Sequence, residues 1–373
     1  MAGNGYGSMT LSVEPWRKDE RRGREDRAGP HLPAARHGHD GDRKDMKERT
    51  EMSHPRSGRL EGKIYVAGHR GLVGSALMRC LARKGYGNLL TRSSRELDLR
   101  CEEGTFRFFR RERPDYVFLA AAKVGGIGAN SAFPADFLAD NLRIQTNVLL
   151  AARETGCRKL LFLGSSCIYP RMAPQPIPEE ALLTGPLEAT NEPYAVAKIA
   201  GIVLARSLRR QYGMNCIAVM PTNLYGPEDN FDLETSHVLP ALLRRFVEAK
   251  ERGLPSVTLW GTGAARREFL HVDDLAEACC FLMESYDGEE LVNIGTGEDL
   301  SIRELAELVR RIVGYEGEIE WDPSRPDGTP RKLLDVSRIH ALGWRHRIAL
   351  GEGLRSTLAW YLASRDFVQS GEW

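Results

Sequence analysis

Three absences narrow what this chain can be. No stretch comes near the roughly 20 consecutive apolar residues that span a bilayer. The longest apolar runs are strand-length, such as Leu160 to Leu163, so a membrane-spanning helix is not expected. No two cysteines have the C-x-x-C spacing, and the seven present (Cys80, Cys101, Cys157, Cys167, Cys216, Cys279 and Cys280) are odd in number with no signal peptide before them. That argues against a disulfide framework or a zinc site. The expectation is a reducing cytoplasm, no bound metal, and thiols that are mostly buried and structural. An excess of one charge is also missing: 52 Lys and Arg against 51 Asp and Glu leave a formal +1. Such a chain has no overall field to draw in nucleic acid or a membrane surface, and an anionic ligand has to be gripped by a local cluster of Arg and Lys.

Two compositions divide the chain. From Arg17 to Arg59 both charges are mixed densely with Gly, Pro and His, without a sustained apolar period. A segment of that kind cannot bury enough surface to offset the entropy of ordering it, so residues 1–60 are expected to be a disordered extension. It has no apolar stretch of the secretory type, and its acidic residues argue against an organelle transit peptide. An inert tail ahead of a natural start at Met46 or Met52 is the expectation.

From Lys63 the pattern becomes regular. Apolar runs at Ile64 to Ala67, Tyr116 to Ala120, Leu160 to Leu163 and Ile217 to Met220 alternate with helix-length segments. This β-α-β alternation predicts an α/β fold of Rossmann type, a doubly wound parallel sheet with helices on both faces. Pro221 closes the fourth run. Beyond it, helical patterns (Val238 to Lys250, Ile302 to Val313), short strands and Gly/Pro turns predict a smaller α/β lobe over the carboxyl edge of the sheet, where open α/β folds bind ligands. The expected division is a nucleotide-binding domain over 61–222, rejoined by a later segment, and a mainly substrate-binding lobe over 223–373.

The first strand runs into Gly68-His69-Arg70-Gly71-Leu72-Val73-Gly74 and then a helical pattern. Glycines at that spacing let the backbone turn tightly and approach a pyrophosphate at a helix N-terminus. Some twenty residues on, where an NAD enzyme places a carboxylate for the ribose 2′-hydroxyl, the chain reads Leu90-Thr91-Arg92-Ser93-Ser94-Arg95. Arg92 and Arg95, with Arg70 as a third, suit a 2′-phosphate, because guanidinium offers forked, permanent positive charge. The expected cofactor is therefore NADP(H).

Tyr194 and Lys198 stand four residues apart on one helical face, an arrangement in which the ammonium favours the phenolate and eases proton transfer near neutral pH. A Y-x-x-x-K alone is common. Here Gly164-Ser165-Ser166-Cys167-Ile168-Tyr169-Pro170 follows the Leu160 to Leu163 run, and this places Ser165 at a strand end with a hydroxyl for the same carbonyl that Tyr194 polarises.

With these residues in hand, the chain resembles the extended short-chain dehydrogenase/reductase family, specifically its GDP-L-fucose synthase branch. The likeness is carried by GHRGLVGSAL, AAAKVGGIGAN, FLGSSCIYP, NEPYAVAKIAG, MPTNLYGPEDNF, SHVLPALLRRF, REFLHVDD and PDGTPRKLLDVSR, spread from Lys63 to the C-terminus. It implies a nucleotide-sugar substrate, GDP-4-keto-6-deoxy-D-mannose, epimerised at carbons 3 and 5 and reduced at carbon 4. In that reading Cys167 removes the carbon-bound protons, His237 returns them from the opposite face, and Tyr194 protonates the alkoxide that Ser165 steadies; Cys and His both titrate in a useful range. The resemblance further implies Pro221, Asn223, Leu224, His237 and Lys198 beside the cofactor. Arg245, Arg267 and Lys332 are expected to face the diphosphate, Trp260 to stack on the base or sugar, and Asp327 to accept from a sugar hydroxyl or the guanine edge. By the same analogy the chain forms a homodimer through the helix of Tyr194 and the one starting near Asp136. His271 is read as structural. Three alternatives remain: another nucleotide-sugar reductase, 4-epimerase or dehydratase; a catalytically silent Rossmann protein that senses NADPH; and a structural or nucleic-acid-binding role, which has no basic patch or stacking motif behind it outside the tail. A cysteine where a dehydratase carries an acid counts against the dehydratase, and the intact Tyr/Lys set counts against the sensor.

Overall fold

The computed structural model describes residues 58–369 apart from 326. Residues 1–57 of the expected extension, with Met46 and Met52, lie outside the described residues. The first half of the described chain contains strands β1 (Ile64–Ala67), β2 (Leu89–Leu90), β3 (Tyr116–Leu119), β4 (Lys159–Leu163) and β5 (Cys216–Pro221) with helices α1 (Leu72–Arg83), α2 (Glu102–Glu112), α3 (Ile127–Ala132), α4 (Pro134–Glu154) and α5 (Glu192–Tyr212). The second half contains strands β6 (Asn223–Tyr225), β7 (Ser256–Trp260), β8 (Arg266–Arg267), β9 (Phe269–His271), β10 (Val292–Ile294), β11 (Leu300–Ser301), β12 (Glu318–Asp322) and β13 (Arg331–Lys332). Its helices are α6 (Val238–Glu251), α7 (Val272–Ser285), α8 (Ile302–Val313), α9 (Ser337–Ala341) and α10 (Leu350–Gln369).

Six strands form a wholly parallel sheet in the order β10-β5-β4-β3-β1-β2. Strands covered by helices on both faces read as unbroken apolar runs, and β1, β4 and β5 are buried along their whole length. The chain moves outward from β1 to β2, then returns to the far side of β1 to begin β3. The crevice left at that reversal, at the carboxyl ends of the strands, is where open α/β sheets take ligands. Helices α4 and α5 pack side by side on one face. Buried Gln145 of α4 donates to the Ala197 carbonyl of α5 at 2.6 Å. The helices come this close because Gly201 has no side chain; a Cβ there would stand 2.5 Å from the Phe162 ring and 2.8 Å from Gln145 Oε1.

A second apolar core gathers Tyr225, Phe231, Leu243 and Phe246 with Leu305, Val309 and Tyr361, under α6, α8 and α10. Helix α8 shows why the sequence forms it. Ser301 and Glu304 make a reciprocal capping box, Gly314 ends it at φ 70°, and the buried residues Leu305, Ala306, Val309 and Val313 lie on one stripe.

Candidate active site

The cofactor loop sits at the sheet reversal. Gly68 has φ +84°, a left-handed conformation that suits glycine, and a Cβ there would meet the backbone of Ala121 at 2.8 Å. A Cβ on Gly74 would fall 2.0 Å from the Gly68 carbonyl oxygen. Helix α1 is capped by Gly71 with no side-chain bond, and its first turn holds no acidic residue, so its amides and positive dipole end face an incoming anion unopposed. The residues fit a dinucleotide. Leu72 and Val73 begin the helix. Burial depresses the His69 pKa, with the Arg70 charge adding to the effect. Arg92 is half-buried over the Phe108 ring (5.6 Å) and paired with Glu112 at 3.1 Å, whereas Arg70 and Arg95 are exposed. The nearby carboxylate of Glu96 is committed to Ser93, accepting from its amide at 2.8 Å and its hydroxyl at 2.7 Å.

At the end of β4 the chain leaves the sheet through Ser165, extended at φ −162°, into a short 3-10 turn over Ser166–Ile168. Its Oγ accepts from the Cys167 amide at 3.2 Å and lies in hydrogen-bonding reach of the Tyr194 hydroxyl. Tyr194 is in the first turn of α5, set edge-on to Phe137 with ring centroids 6.4 Å apart. Burial pushes its phenol up, the neighbouring Cys167 adds to this, and the Ser165 hydrogen bond pulls it down. One turn later Lys198 is 4% exposed and donates to the Leu163 carbonyl at 2.8 Å. Its ammonium lies 5.1 Å from the Phe162 ring centre and 5.9 Å from that of Tyr194. Burial lowers its pKa to about 8, and no carboxylate pairs with it among the described residues.

Cys167 is half-buried on the same turn. Its sulfur receives the Asn191 amide Nδ2 at 3.2 Å and has Lys332 Nζ at 3.7 Å. The Arg267 guanidinium is also close enough to feel its charge. His237 is the N-cap of α6; desolvation of its imidazole, and then the Lys332 charge, lower its pKa. Lys332 is thus a neighbour of both groups. Lys332, expected to face the diphosphate, lies here beside the Cys167 sulfur.

Other expected residues spread around this centre. Pro221 ends β5, Asn223 donates to the Glu268 carbonyl at 2.7 Å, and Leu224 follows it on β6. Glu268, fully buried, accepts the amides of Thr296, Gly297 and Leu334 at 2.6, 2.8 and 3.0 Å, and so fixes the strands that carry Arg267 and Lys332. Arg267 donates to the Arg266 carbonyl at 2.8 Å, and its pKa is lowered by burial. Arg245 is half-buried on α6, and its side chain has no hydrogen bond or ion pair among the described residues. Trp260 is 62% exposed with Arg325 over its ring at 5.0 Å. Asp327 accepts from the Thr262 amide at 2.8 Å and its hydroxyl at 2.6 Å, so both carboxylate oxygens hold the 261–263 turn. His271 caps α7 through Nδ1 and is buried beside Tyr225. Among the described residues no cluster of His, Cys, Asp and Glu is placed to hold a metal, and no helix is long and apolar enough to cross a membrane.

Two site residues escaped the sequence reading. Asn191 is in the NEPY stretch, three residues before Tyr194, yet nothing local tells that its amide meets sulfur. Glu188 accepts from Thr329 at 3.2 Å and pairs with Arg171 at 3.4 Å, joining the turn ahead of Asn191 to the segment ahead of Lys332.

Known proteins agree with this architecture. Residues 64–295 match the model of the NAD dependent epimerase/dehydratase family. The chain is 60% identical over 300 residues to GDP-L-fucose synthase 1 of Arabidopsis thaliana, covering 80% of this chain and 93% of that protein. It is 53% identical over 313 residues to the GDP-L-fucose synthase of Escherichia coli, covering 82% and 98%. A crystal structure of a GDP-L-fucose synthetase from Naegleria fowleri bound to NADP superposes with a TM-score of 0.77 at 28% identity, covering 84% of this chain and 98% of that one. The chain belongs to the NAD dependent epimerase/dehydratase family, in its GDP-L-fucose synthase branch.

Proposed function

We propose that the chain converts GDP-4-keto-6-deoxy-D-mannose to GDP-L-fucose, epimerising carbons 3 and 5 and then reducing carbon 4 with NADPH. One observation carries this reading. Ser165 Oγ accepts the Cys167 amide at 3.2 Å, so a hydroxyl for the 4-oxygen and a thiol for the adjoining carbons share one short turn. The 4-ketone acidifies the hydrogens on carbons 3 and 5, the two carbons bonded to it. Cys167, as thiolate, takes such a proton and becomes a thiol, and the electron pair moves onto the 4-oxygen as an enolate, where Ser165 and Tyr194 donate hydrogen bonds. His237 supplies a proton from the opposite face, and the configuration inverts; before the second carbon reacts, Cys167 returns its proton to solvent and His237 takes one up. In the second stage Tyr194 passes its proton to the 4-oxygen and Lys198 holds the resulting phenolate by charge. The glycine loop and the α1 N-terminus would hold the pyrophosphate of NADPH, and the bound cofactor would supply the hydride that carbon 4 needs.

The charge on Lys198 sets a pH limit. Its ammonium stabilises the phenolate only while protonated, and it is lost as pH rises through about 8. Reduction at saturating cofactor and sugar is therefore expected to decline on the alkaline side with a midpoint near 8. A rate-versus-pH profile flat from 7 to 10 would contradict the role.

For the cofactor, Arg70 and Arg92 lie close enough to Glu96 to act on its charge, Arg95 is its chain neighbour, and that carboxylate is already committed to Ser93; this supports NADPH over NADH. Replacing Arg95 by Asp removes a charged hydrogen-bond donor, worth about 1.5–3 kcal/mol. It should raise the KM for NADPH by roughly 10- to 100-fold and leave that for NADH nearly unchanged; equal effects on both would end the assignment. The same reading places a second copy of the chain on α4 and α5. Val196 and Val203, two turns apart on α5, are 41% and 46% exposed and offer an apolar stripe. Light scattering of the full chain is expected to give twice 41.7 kDa; a monomer at micromolar concentration would rule this out.

A further inference from the structure

Asn191 occupies the N-cap of α5, the helix of Tyr194 and Lys198. Asn is among the residues best suited to that place, because its side-chain oxygen accepts from a free amide in the first turn. Here it makes no capping bond. The side chain turns instead to Cys167 and donates through Nδ2 to Sγ at 3.2 Å. Its other terminal atom, Oδ1, is buried and meets no donor among the described residues. A cap is given up and a buried carbonyl is left unsatisfied, both costly, for one contact with sulfur. Of the other polar neighbours named above for that sulfur, Lys332 and Arg267 are cations that can donate but never accept, and the Tyr194 hydroxyl is engaged with Ser165.

Resting on the reading of Cys167 as the base, we propose that Asn191 is a positioning residue for its proton transfers, matched to both protonation states of the sulfur. With the sulfur as thiolate, Nδ2–H donates to it alongside the two cations. When Cys167 has taken a proton, the carbon–hydrogen bond is broken, an S–H bond is formed, and the electron pair has stayed with the substrate as enolate. The sulfur now has a hydrogen to donate, and neither cation can accept it. A half-turn of the Asn191 amide replaces Nδ2 with Oδ1, the acceptor that the resting arrangement leaves unused. The same side chain thereby serves the sulfur before and after transfer, and it stands in the turn leading into Tyr194.

The test uses the full chain and compares Asn191→Asp and Asn191→Ala with the unmodified protein. Deuterium incorporation at carbons 3 and 5 of GDP-4-keto-6-deoxy-D-mannose is followed in heavy water, and the alkylation rate of Cys167 by iodoacetamide is read on its peptide by mass spectrometry. Asp has nearly the shape of Asn and caps helices as well, so a merely structural role predicts that Asn191→Asp behaves like the parent in both assays. The positioning role predicts at least a tenfold fall in exchange and in alkylation for Asn191→Asp. The fall should exceed that of Asn191→Ala, because a carboxylate removes the donor and sets negative charge against the sulfur. Parent-like exchange and alkylation in Asn191→Asp would overturn the proposal; if that variant did not fold, parent-like values in Asn191→Ala would do so. Exchange surviving in Cys167→Ala is a separate result, which would remove the base assignment underneath.

Discussion

Tyr194→Phe is expected to lower the rate of carbon-4 reduction by about 10²- to 10⁴-fold, the usual contribution of a positioned proton donor, with little change in KM. The substitution removes one oxygen and keeps the ring, so the edge-on contact with Phe137 and the Lys198 ammonium 5.9 Å from the ring centre survive. What disappears is the proton for the 4-oxygen and one of its two hydroxyl donors. Ser165 remains, tied to the same turn, and so the enolate of the first stage is still partly stabilised. Deuterium exchange at carbons 3 and 5 should consequently slow far less than reduction. Single-turnover oxidation of NADPH, read beside exchange on the same sample, separates the two. A reduction rate within threefold of the parent would remove Tyr194 from the chemistry.

Cys167→Ser should act in the opposite sense, suppressing exchange at both carbons by at least about 10³-fold, because the proton acceptor is a thiolate and a serine hydroxyl does not ionise near neutral pH. Folding should be preserved. The turn is held by the Cys167 backbone amide on Ser165 Oγ, which the substitution leaves in place, and the new oxygen still receives the Asn191 amide. The double loss expected of a collapsed site is thus avoided: cofactor binding, read by fluorescence of the reduced nicotinamide, stays at the parent level. Exchange at the parent rate in this variant would mean that another group abstracts the protons. Together the two variants should separate the stages: Tyr194→Phe loses reduction and largely keeps exchange, whereas Cys167→Ser loses exchange and keeps cofactor binding.

Much of this was legible in the sequence because it is local. The strand at Ile64 to Ala67 and the helix at Ile302 to Val313 have the expected bounds, since period-2 or unbroken apolar runs and a 3.6-residue stripe with a capping box are written in consecutive residues. The run expected from Tyr116 to Ala120 ends one residue earlier, at Leu119. The glycine loop, the strand-end serine and the four-residue step from Tyr194 to Lys198 were equally local. The rest depends on contacts between distant segments. Lys332 reaches Cys167 across 165 positions from a two-residue strand, too short to leave a periodic signal. The attachment of Arg92 to Glu112 spans 20 positions, and the commitment of Asp327 to Thr262 spans 65. Side-chain partners of that kind are fixed by tertiary packing, which residue spacing does not encode.

The most direct test of the two-stage account is one incubation of the full chain with GDP-4-keto-6-deoxy-D-mannose and unlabelled NADPH in heavy water. Cofactor absorbance is followed and the product sugar is analysed by NMR. The account predicts one NADPH oxidised per sugar and GDP-L-fucose carrying deuterium at carbons 3 and 5 and none at carbon 4. A product with its original hydrogens at carbons 3 and 5, or no oxidation of NADPH at all, would contradict it.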